Sequence, residues 1–329
     1  MCENRSAVIL GTGRGIPEKV LTNFDLEKIV DTSDQWIKER SGIERRHILE
    51  DGKANSDLCS EAATKALKEA GLTAEDLDMI IVGTITPDYL FPSTASQVQA
   101  KIGAVNAAAC DISAACSGFI YGLTVANSMI QSGAVNHVLV IGAEVLSRIT
   151  DWEDRGTCVL FGDGAGAAVL GPADDDSAII SSYIKSDGRL GDLLILPAGG
   201  SANPATRETV DNRMHYIKMQ GREVFKHAVR AMKDAAVHSL ESAGFTSDDL
   251  NLLITHQANI RIIDAIASRL KLPDDKVYVN IQEYGNTSAA SIPIAFDEAR
   301  RNGRLKKGDL CLLVAFGGGF TWGATLIRM

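Results

Sequence analysis

Three side chains in this 329-residue chain could together carry out acyl transfer. Cys116 lies in ACDISAACSGFIYGL, between a small-residue stretch typical of a strand and the start of an apolar helix. His256 lies in LLITHQANI and Asn286 in EYGNTSAASIP, and both segments also predict strand–loop–helix junctions. A thiolate can attack a thioester, while an imidazole and a carboxamide can hydrogen-bond to a developing negative charge. The three residue types therefore predict a nucleophilic acyl-transfer site.

The position of Cys116 predicts a reactive thiol. A thiol at a helix N-terminus lies at the positive end of the helix dipole, which lowers its pKa. The alternative is a buried structural cysteine, and we assign that role to Cys110 in the preceding strand. His256 could equally be a satisfied core or surface histidine, and Asn286 a helix cap or turn residue. Each residue alone is therefore ambiguous.

Glycine-rich segments are further candidate sites. AFGGGFTWG (315–323) follows an apolar strand, so its backbone N–H groups could form an oxyanion hole or only a tight turn. GTGRGIP (11–17) lacks the GxGxxG spacing of a dinucleotide site, and FGDGAGAAVLG lacks the Lys-Ser/Thr of a phosphate-binding loop. There is no HExxH and no paired cysteine set. We therefore expect no nicotinamide, no metal and no separate cofactor.

The elements that position these residues belong to an internal repeat of the sequence. AGLTAEDLDMIIVGT (70–84) returns as AGFTSDDLNLLITHQ (243–257), with six of fifteen positions identical and an offset of 173 residues (243 − 70). Each copy follows a helical stretch and enters a β-rich run typical of a doubly buried strand. NHVLVIGAE also corresponds loosely to GDLCLLVAFGGG. This alternation predicts an α/β protein with two halves, 1–175 carrying the nucleophile and 176–329 carrying His256 and Asn286.

Bulk composition excludes several classes of function. The net charge of −9 disfavours general nucleic-acid binding, and no apolar run approaches the ~18 residues of a membrane span. The N-terminal MCENRSAVILGTG has no signal-peptide pattern. The cysteines are scattered without a CxxC pair, so we expect reduced thiols; they are Cys2, Cys59, Cys110, Cys116, Cys158 and Cys311. These features predict a cytoplasmic protein that binds neither nucleic acid nor membrane.

Taken together, the motifs resemble those of the thiolase-like condensing enzymes, and specifically the 3-oxoacyl-[acyl-carrier-protein] synthase III family. The resemblance covers essentially the whole chain and is carried by TSDQWIKERSGIERRHI, DISAACSGFIYGL, DRGTCVLFGDGAGAAVL, MQGREVFKHAV, THQANIRII, YGNTSAASIP and AFGGGFTWG. It implies a duplicated five-layer α-β-α-β-α sandwich with the active site between the halves. The carboxamide separates this family from thiolases, which use a second cysteine, and from elongating synthases, which use two histidines.

The resemblance also assigns roles to residues. Cys116 matches the acyl-accepting nucleophile, His256 and Asn286 complete its Cys-His-Asn triad, and the N–H groups of Cys116 and Gly318 match its oxyanion hole. Trp36 and Arg40 match the pair that holds the adenine of coenzyme A, and Ser41 replaces a common threonine. Further residues match the coenzyme A and pantetheine path: Arg155, Gly221, Phe225 and Asn259. Phe91 matches a residue that enters the partner's acyl pocket across a homodimer interface.

The implied activity initiates type II fatty acid synthesis. A short acyl-coenzyme A, with acetyl-coenzyme A the first expectation, acylates the cysteine, and malonyl-acyl-carrier protein then condenses with loss of CO2. An acidic carrier protein needs a local basic patch on this acidic chain, and we predict one at Arg261, Arg269 and Lys271. Three alternatives remain open: a polyketide or quinolone synthase with another primer, a papain-type cysteine hydrolase, and a non-catalytic carrier-binding paralogue. Against the hydrolase, the chain lacks the papain signature.

Overall fold

Strands and helices alternate through residues 6–173 and 176–329, which the computed structural model describes. The strands are β1 Ala7–Gly15, β2 Val20–Thr22, β3 Arg45–His47, β4 Met79–Gly83, β5 Ala108–Ile112, β6 Val138–Val145, β7 Asp163–Pro172, β8 Ala178–Ser186, β9 Leu194–Ile195, β10 Lys218–Met219, β11 Leu252–Thr255, β12 Val277–Tyr278, β13 Leu310–Gly317 and β14 Thr321–Arg328. The α-helices are α1 Asn23–Leu26, α2 Asp34–Ser41, α3 Asn55–Ala70, α4 Thr94–Ile102, α5 Gly118–Gln131, α6 Arg155–Cys158, α7 Arg207–Asp211, α8 Gly221–Ser242, α9 Ile260–Arg269, α10 Ile281–Tyr284 and α11 Ser291–Arg301.

Two five-stranded sheets share one topology. The first has the order β1-β7-β6-β4-β5 and the second the order β8-β14-β13-β11-β12. In each sheet the three strands β5-β4-β6 or β12-β11-β13 run parallel, and the other two pair antiparallel. The parallel strands β4, β6, β11 and β13 are buried along nearly their whole length, because helices cover both faces of each sheet.

The sheets and helices stack in five layers. Helices α3 and α4 cover the outer face of the first sheet, and α8 covers the outer face of the second. Helices α5 and α11 lie between the sheets and contact both. Apolar side chains form one cluster in each of the three spaces, and burial of this apolar area is the main force that holds the layers together. The predicted α-β-α-β-α sandwich is confirmed.

Several elements near the centre of the molecule keep the sequence offset of the duplication. Met79 starts β4 and Leu252 starts β11, again 173 positions apart (252 − 79). The same offset relates α5 to α11 and relates the 3₁₀ turns before them, Ala115–Ser117 and Ser288–Ala290. Even a local cap is repeated, because Asp76 accepts from Thr73 as Asp249 accepts from Thr246. The halves therefore place matching strand ends and helix starts at the centre of the molecule.

Some predictions from the sequence differ from the structure, and others concern residues outside those that the structure describes. Cys110 is exposed on β5, an edge strand, so its prediction as a buried structural cysteine is wrong. The glycines of GTGRGIP lie within β1 instead of in a ligand-binding loop. Cys2 and residue 175, the predicted end of the first half, lie outside the described residues, so the division 1–175 and 176–329 stays a prediction. None of the described helices has the length and apolar character that membrane crossing requires.

Candidate active site

Cys116 lies in the turn that joins β5 to α5. The turn spans Ala115–Ser117, and Ala115 has a φ of 45°, a left-handed conformation that is uncommon outside glycine. The end of β13 reaches the same turn at Gly317, where a Cβ atom would lie only 2.5 Å from the Cys116 backbone nitrogen. Glycine is therefore required at 317, and its bare backbone brings the second half against the nucleophile.

The thiol of Cys116 is held in its protonated form. Burial raises the pKa of Cys116 to about 12, although hydrogen bonds from the Ser288 hydroxyl and from its own backbone N–H act in the opposite direction. The expectation that the helix N-terminus lowers this pKa is therefore wrong for the site without substrate. The reason is desolvation, which disfavours a thiolate more strongly than these donors favour it.

His256 follows β11 and is buried beside α11. Its Nδ1 lies 2.7 Å from the Ser291 hydroxyl, and that hydroxyl accepts the Gln257 backbone N–H at 3.3 Å. The hydroxyl can donate its proton to Nδ1 while it accepts from Gln257, and in that arrangement the imidazole proton lies on Nε2. Burial lowers the pKa of His256 to about 3, so the ring is neutral at physiological pH. A neutral ring with this tautomer is a hydrogen-bond donor at Nε2.

Asn286 is fixed in the loop between α10 and the turn at Ser288. Its backbone N–H donates to Leu160 at 2.8 Å, and its carbonyl accepts from Gly162 at 3.1 Å. Its side-chain Oδ1 accepts the Ser288 backbone N–H at 2.9 Å. Because the oxygen is used by the protein, the Nδ2 amide group is the end that remains for a ligand. Asn286 therefore supplies a second donor.

The repeat explains why His256 can stand where it does. Its counterpart in the first half is Gly83, and the counterpart of Ser291 is Gly118, both by the offset of 173 (256 − 83 and 291 − 118). Gly83 packs backbone to backbone against Gly118, where a Cβ on Gly83 would lie 2.6 Å from a Gly118 atom. The second half replaces this glycine pair by a hydrogen-bonded histidine and serine.

One cavity of about 1070 Å³ joins these groups to the surface. Its inner wall includes apolar side chains of a small buried cluster formed by Leu146, Phe161 and Ile217. The predicted site residues that line it are Trp36, Arg40, Ser41, Cys116, Gly221, Phe225, His256, Asn259, Arg261, Asn286 and Gly318. The structure therefore brings together the three residues of the triad and most of the residues expected along the coenzyme A path.

The outer end of the cavity is built around Trp36. The guanidinium carbons of Arg40 and Arg155 lie 4.6 Å and 5.0 Å from the centre of its ring. Arg155 does not line the cavity, but this contact places it at the same end, where it also donates to the Asp31 carbonyl at 2.8 Å. Asn259 caps α9 and donates to the Arg40 carbonyl at 3.0 Å. An aromatic ring with two cations close to it suits a base with attached phosphates.

Ser41 also lines the cavity, but its hydroxyl is occupied within the chain. It donates to the Ile37 carbonyl at 2.7 Å and accepts from the Ile43 backbone N–H at 3.2 Å. Arg222, which the sequence did not suggest, lines the cavity with Arg40 and Arg261. Helix α8 starts with Gly221, so a search of the residues next to matched positions would have found Arg222.

Three predicted residues lie apart from the cavity. Arg269 ends α9, Lys271 follows it, and neither lines the cavity that Arg261 lines. Phe91 is 86% exposed and lies outside the lining, so its role across a dimer interface stays a prediction. Within residues 6–173 and 176–329 no group of His, Cys, Asp or Glu side chains could hold a metal ion.

The fold is that of the thiolase-like condensing enzymes. Residues 110–188 match the family described as 3-oxoacyl-[acyl-carrier-protein] synthase III, and residues 240–329 match its C-terminal domain. The chain is 58% identical to the beta-ketoacyl-[acyl-carrier-protein] synthase III of Caldanaerobacter subterraneus, over 100% of this chain and 99% of the relative. It therefore belongs to the 3-oxoacyl-[acyl-carrier-protein] synthase III family.

Solved structures agree with this assignment. The 3-oxoacyl-[acyl-carrier-protein] synthase III from Aquifex aeolicus is 52% identical, with a TM-score of 0.91 over 98% of this chain and 100% of that one. The priming beta-ketosynthase of the R1128 polyketide pathway is 33% identical, with a TM-score of 0.92 over 100% of this chain and 98% of that one. The fold is thus shared with a polyketide enzyme, while the sequence is more similar to the fatty-acid type of synthase.

Proposed function

We propose that this enzyme initiates fatty acid synthesis by condensing a short acyl group from coenzyme A with malonyl-acyl-carrier protein. One observation carries the proposal: a single cavity brings the Cys116 thiol together with His256 and Asn286, whose free ends are N–H donors. The higher identity to fatty-acid relatives favours this function over polyketide priming. All three triad members share one cavity, which argues against a non-catalytic carrier-binding paralogue.

The first half-reaction is an exchange between two thiols. Cys116 Sγ forms a bond to the acyl carbonyl carbon, the carbon–sulfur bond to coenzyme A breaks, and the Cys116 proton leaves with the coenzyme A thiol. The backbone N–H groups of Cys116 and Gly318 are proposed to hold the carbonyl oxygen as it becomes negative. The buried cluster of Leu146, Phe161 and Ile217 accepts the acyl chain, and its small size favours a short primer such as acetyl.

The second half-reaction makes its carbanion by decarboxylation. Malonyl-acyl-carrier protein enters the emptied cavity, and its thioester carbonyl accepts hydrogen bonds from His256 Nε2 and Asn286 Nδ2. Loss of CO2 leaves an enolate, which these two donors stabilise. The enolate carbon attacks the acyl-cysteine, the carbon–sulfur bond to Cys116 breaks, and the expelled thiolate takes up a proton from water as 3-oxoacyl-acyl-carrier protein leaves. Because decarboxylation replaces proton abstraction, neutral donors suffice and no strong base is needed.

The outer end of the cavity is proposed to bind coenzyme A as a substrate. Trp36, Arg40 and Arg155 would hold the adenine and its phosphates, and Phe225, Gly221 and Asn259 would line the path of the pantetheine arm. Ser41 would contribute through packing, since its hydroxyl is already bonded. No separate cofactor or metal is required by these steps.

Two macromolecular contacts complete the proposal. The carrier protein docks at the basic mouth through Arg261, with Arg269 and Lys271 as a more distant part of the predicted patch. A second copy of the chain covers the exposed apolar side chains Tyr89, Leu90 and Phe91 beside the edge strand β5. Phe91 would then reach the partner's acyl pocket. The proposed substrates also keep the prediction of a cytoplasmic enzyme, which cell fractionation tests.

Acylation of Cys116 tests the proposed function directly. The protein is incubated with an equimolar mixture of acetyl-, branched-chain and longer acyl-coenzyme A, then digested and analysed by mass spectrometry. We expect a short acyl group on the Cys116 peptide and none on the peptides of Cys59, Cys110 or Cys158. Cys116→Ala should give no stable acyl-enzyme. A wild-type protein that stays unmodified at every cysteine would overturn the proposal.

A further inference from the structure

Glu144 is a buried carboxyl group that the steps above do not use. It lies near the end of β6 with no solvent exposure. Its oxygens accept hydrogen bonds from the Thr86 hydroxyl at 2.6 Å, the Thr84 hydroxyl at 3.2 Å and the Ile85 N–H at 3.2 Å. None of the ion pairs within the described part of the chain includes it. A buried carboxyl group without a cation is costly as an anion and therefore calls for an explanation.

The architecture itself does not require this carboxyl group. The residue that corresponds to Glu144 in the second half is Gly317, at the usual offset (317 − 144 = 173). Each of the two faces the left-handed turn of the opposite half: Gly317 faces Ala115 and Cys116, and Glu144 faces Ser288, whose φ is 49°. Since one half forms this contact without any side chain, Glu144 is there for another reason.

Ser288 links Glu144 to the nucleophile. Its hydroxyl donates to Glu144 Oε1 at 3.1 Å, and Ser288 lines the same cavity as Cys116, where its side chain acts on the pKa of the thiol. A hydroxyl has one proton, so it can donate in only one direction at a time. While Glu144 is ionised, that proton belongs to the carboxylate and Ser288 can only accept from the thiol. Once Glu144 is protonated, Ser288 is free to donate to a thiolate.

We propose that Glu144 is a positioning residue that acts through Ser288 to set how readily the Cys116 thiol becomes a thiolate. This inference rests on the proposed function, because it takes Cys116 as the nucleophile. In the neutral form of Glu144, Ser288 stabilises the thiolate that attacks the acyl donor. In the ionised form, Glu144 both withdraws that hydrogen bond and repels the negative sulfur, so the thiol is retained.

The surroundings allow this group to titrate near neutrality. Burial raises the pKa of Glu144 to about 7, with the donors of Thr86, Ile85, Ser288 and Thr84 acting against it. The titratable groups that face it are the Cys116 thiol and, from α3, the Cys59 thiol. Asp88 and Asp111 act with Glu144 on Cys59 and raise its pKa further, so Cys59 stays neutral. Glu144 is thus the member of this group that changes charge around pH 7.

The pH dependence of Cys116 alkylation tests the inference. Iodoacetamide is reacted with the intact protein between pH 5 and pH 10, and the alkylated Cys116 peptide is quantified by mass spectrometry. Glu144→Gln keeps the size of the side chain, removes the charge and can donate to Ser288. We expect it to move the reactivity profile of Cys116 to lower pH by about one unit or more, as a neighbouring charge does. Asp163→Asn, which alters another buried carboxyl group, should leave the profile in place.

A double-variant cycle separates action through Ser288 from a general structural effect. The shift caused by Glu144→Gln should be clearly smaller when Ser288→Ala is already present, because the linking hydroxyl is gone. If Glu144→Gln does not fold, as judged by circular dichroism, the pH dependence of Cys116 alkylation in the wild type tests the inference instead. The inference then requires that this alkylation rate departs from a single titration curve near pH 7.

Different results would contradict the role of Glu144 and the proposed function. Coincident profiles for wild type and Glu144→Gln, in a protein that is still acylated at Cys116, would overturn the role of Glu144 alone. A wild-type alkylation profile that fits a single titration step would also contradict the role of Glu144. Absence of acylation in the wild type would instead remove the proposed function on which the inference rests.

Discussion

Cys116, His256 and Asn286 are all neutral before substrate binds. Burial raises the pKa of Cys116 to about 12 and lowers that of His256 to about 3, so neither carries a charge at pH 7. Papain-type hydrolases differ, because a paired histidine lowers the pKa of their cysteine. Here the Ser291 contact allows the histidine to donate from Nε2, which suits an enolate better than a thiol. The chemistry is therefore set by two donors and a thiol instead of an ion pair.

At the scale of elements, helix α9 relates the cavity to the protein surface. Its first residues, with the cap at Asn259, lie at the mouth, and Arg261 donates to the Glu39 carbonyl of α2 at 3.0 Å. Arg269 is eight residues further along, about 12 Å at the rise of an α-helix. The two arginines share a helix face, but only the first lies where the cavity opens.

A charge reversal at each end of α9 tests the docking surface. Arg261→Glu should raise the KM for malonyl-acyl-carrier protein several-fold, because a like charge now faces the acidic carrier. Arg269→Glu is the matched control and should change this KM by less than about twofold, with kcat unaffected in both. Steady-state kinetics at saturating acyl-coenzyme A, repeated at two salt concentrations, provides the measurement. Equal effects of the two substitutions would refute docking at the mouth.

At the scale of elements, the sequence alone predicts part of the fold and of the site. The offset of 173 residues, visible in two fifteen-residue segments, predicts the paired sheets. It also pairs His256 with Gly83, which indicates that the fold does not need a histidine at this position. The predictions of a lowered Cys116 pKa and of a buried Cys110 are wrong, because both properties depend on packing between distant segments. Glu144 and Ser288 were missed, although the same offset pairs them with Gly317 and Ala115 and could have marked them.

At the scale of the whole molecule, the surface near β5 is notably apolar. Tyr89, Leu90, Phe91 and Val105 are exposed near β5, which pairs only with β4 in this sheet. An apolar patch beside an open strand edge is typical of a protein interface. Phe91 is absent from the lining of the cavity within one chain. In the proposed dimer, the second copy covers the patch and brings its Phe91 to this cavity.

Sedimentation tests this interface. Wild-type protein should sediment as a dimer at micromolar concentration, and Phe91→Asp should shift it towards monomer because a charge is buried at the contact. Phe24→Asp alters an exposed phenylalanine elsewhere on the chain, 61% exposed, and should leave the dimer intact. A wild-type protein that sediments as a monomer, or equal behaviour of the two variants, would exclude this surface as the interface.

The central claim is that the first half supplies the nucleophile and the second half supplies the donors that stabilise the enolate. The most direct test measures both half-reactions, Cys116 acylation and CO2 release from malonyl-acyl-carrier protein, in Cys116→Ala and Asn286→Ala. Cys116→Ala should lose acylation and still release CO2. Asn286→Ala should keep acylation and release CO2 about 100- to 1000-fold more slowly, the usual effect of removing one such donor. An Asn286→Ala enzyme that loses acylation but decarboxylates at the wild-type rate would contradict the account.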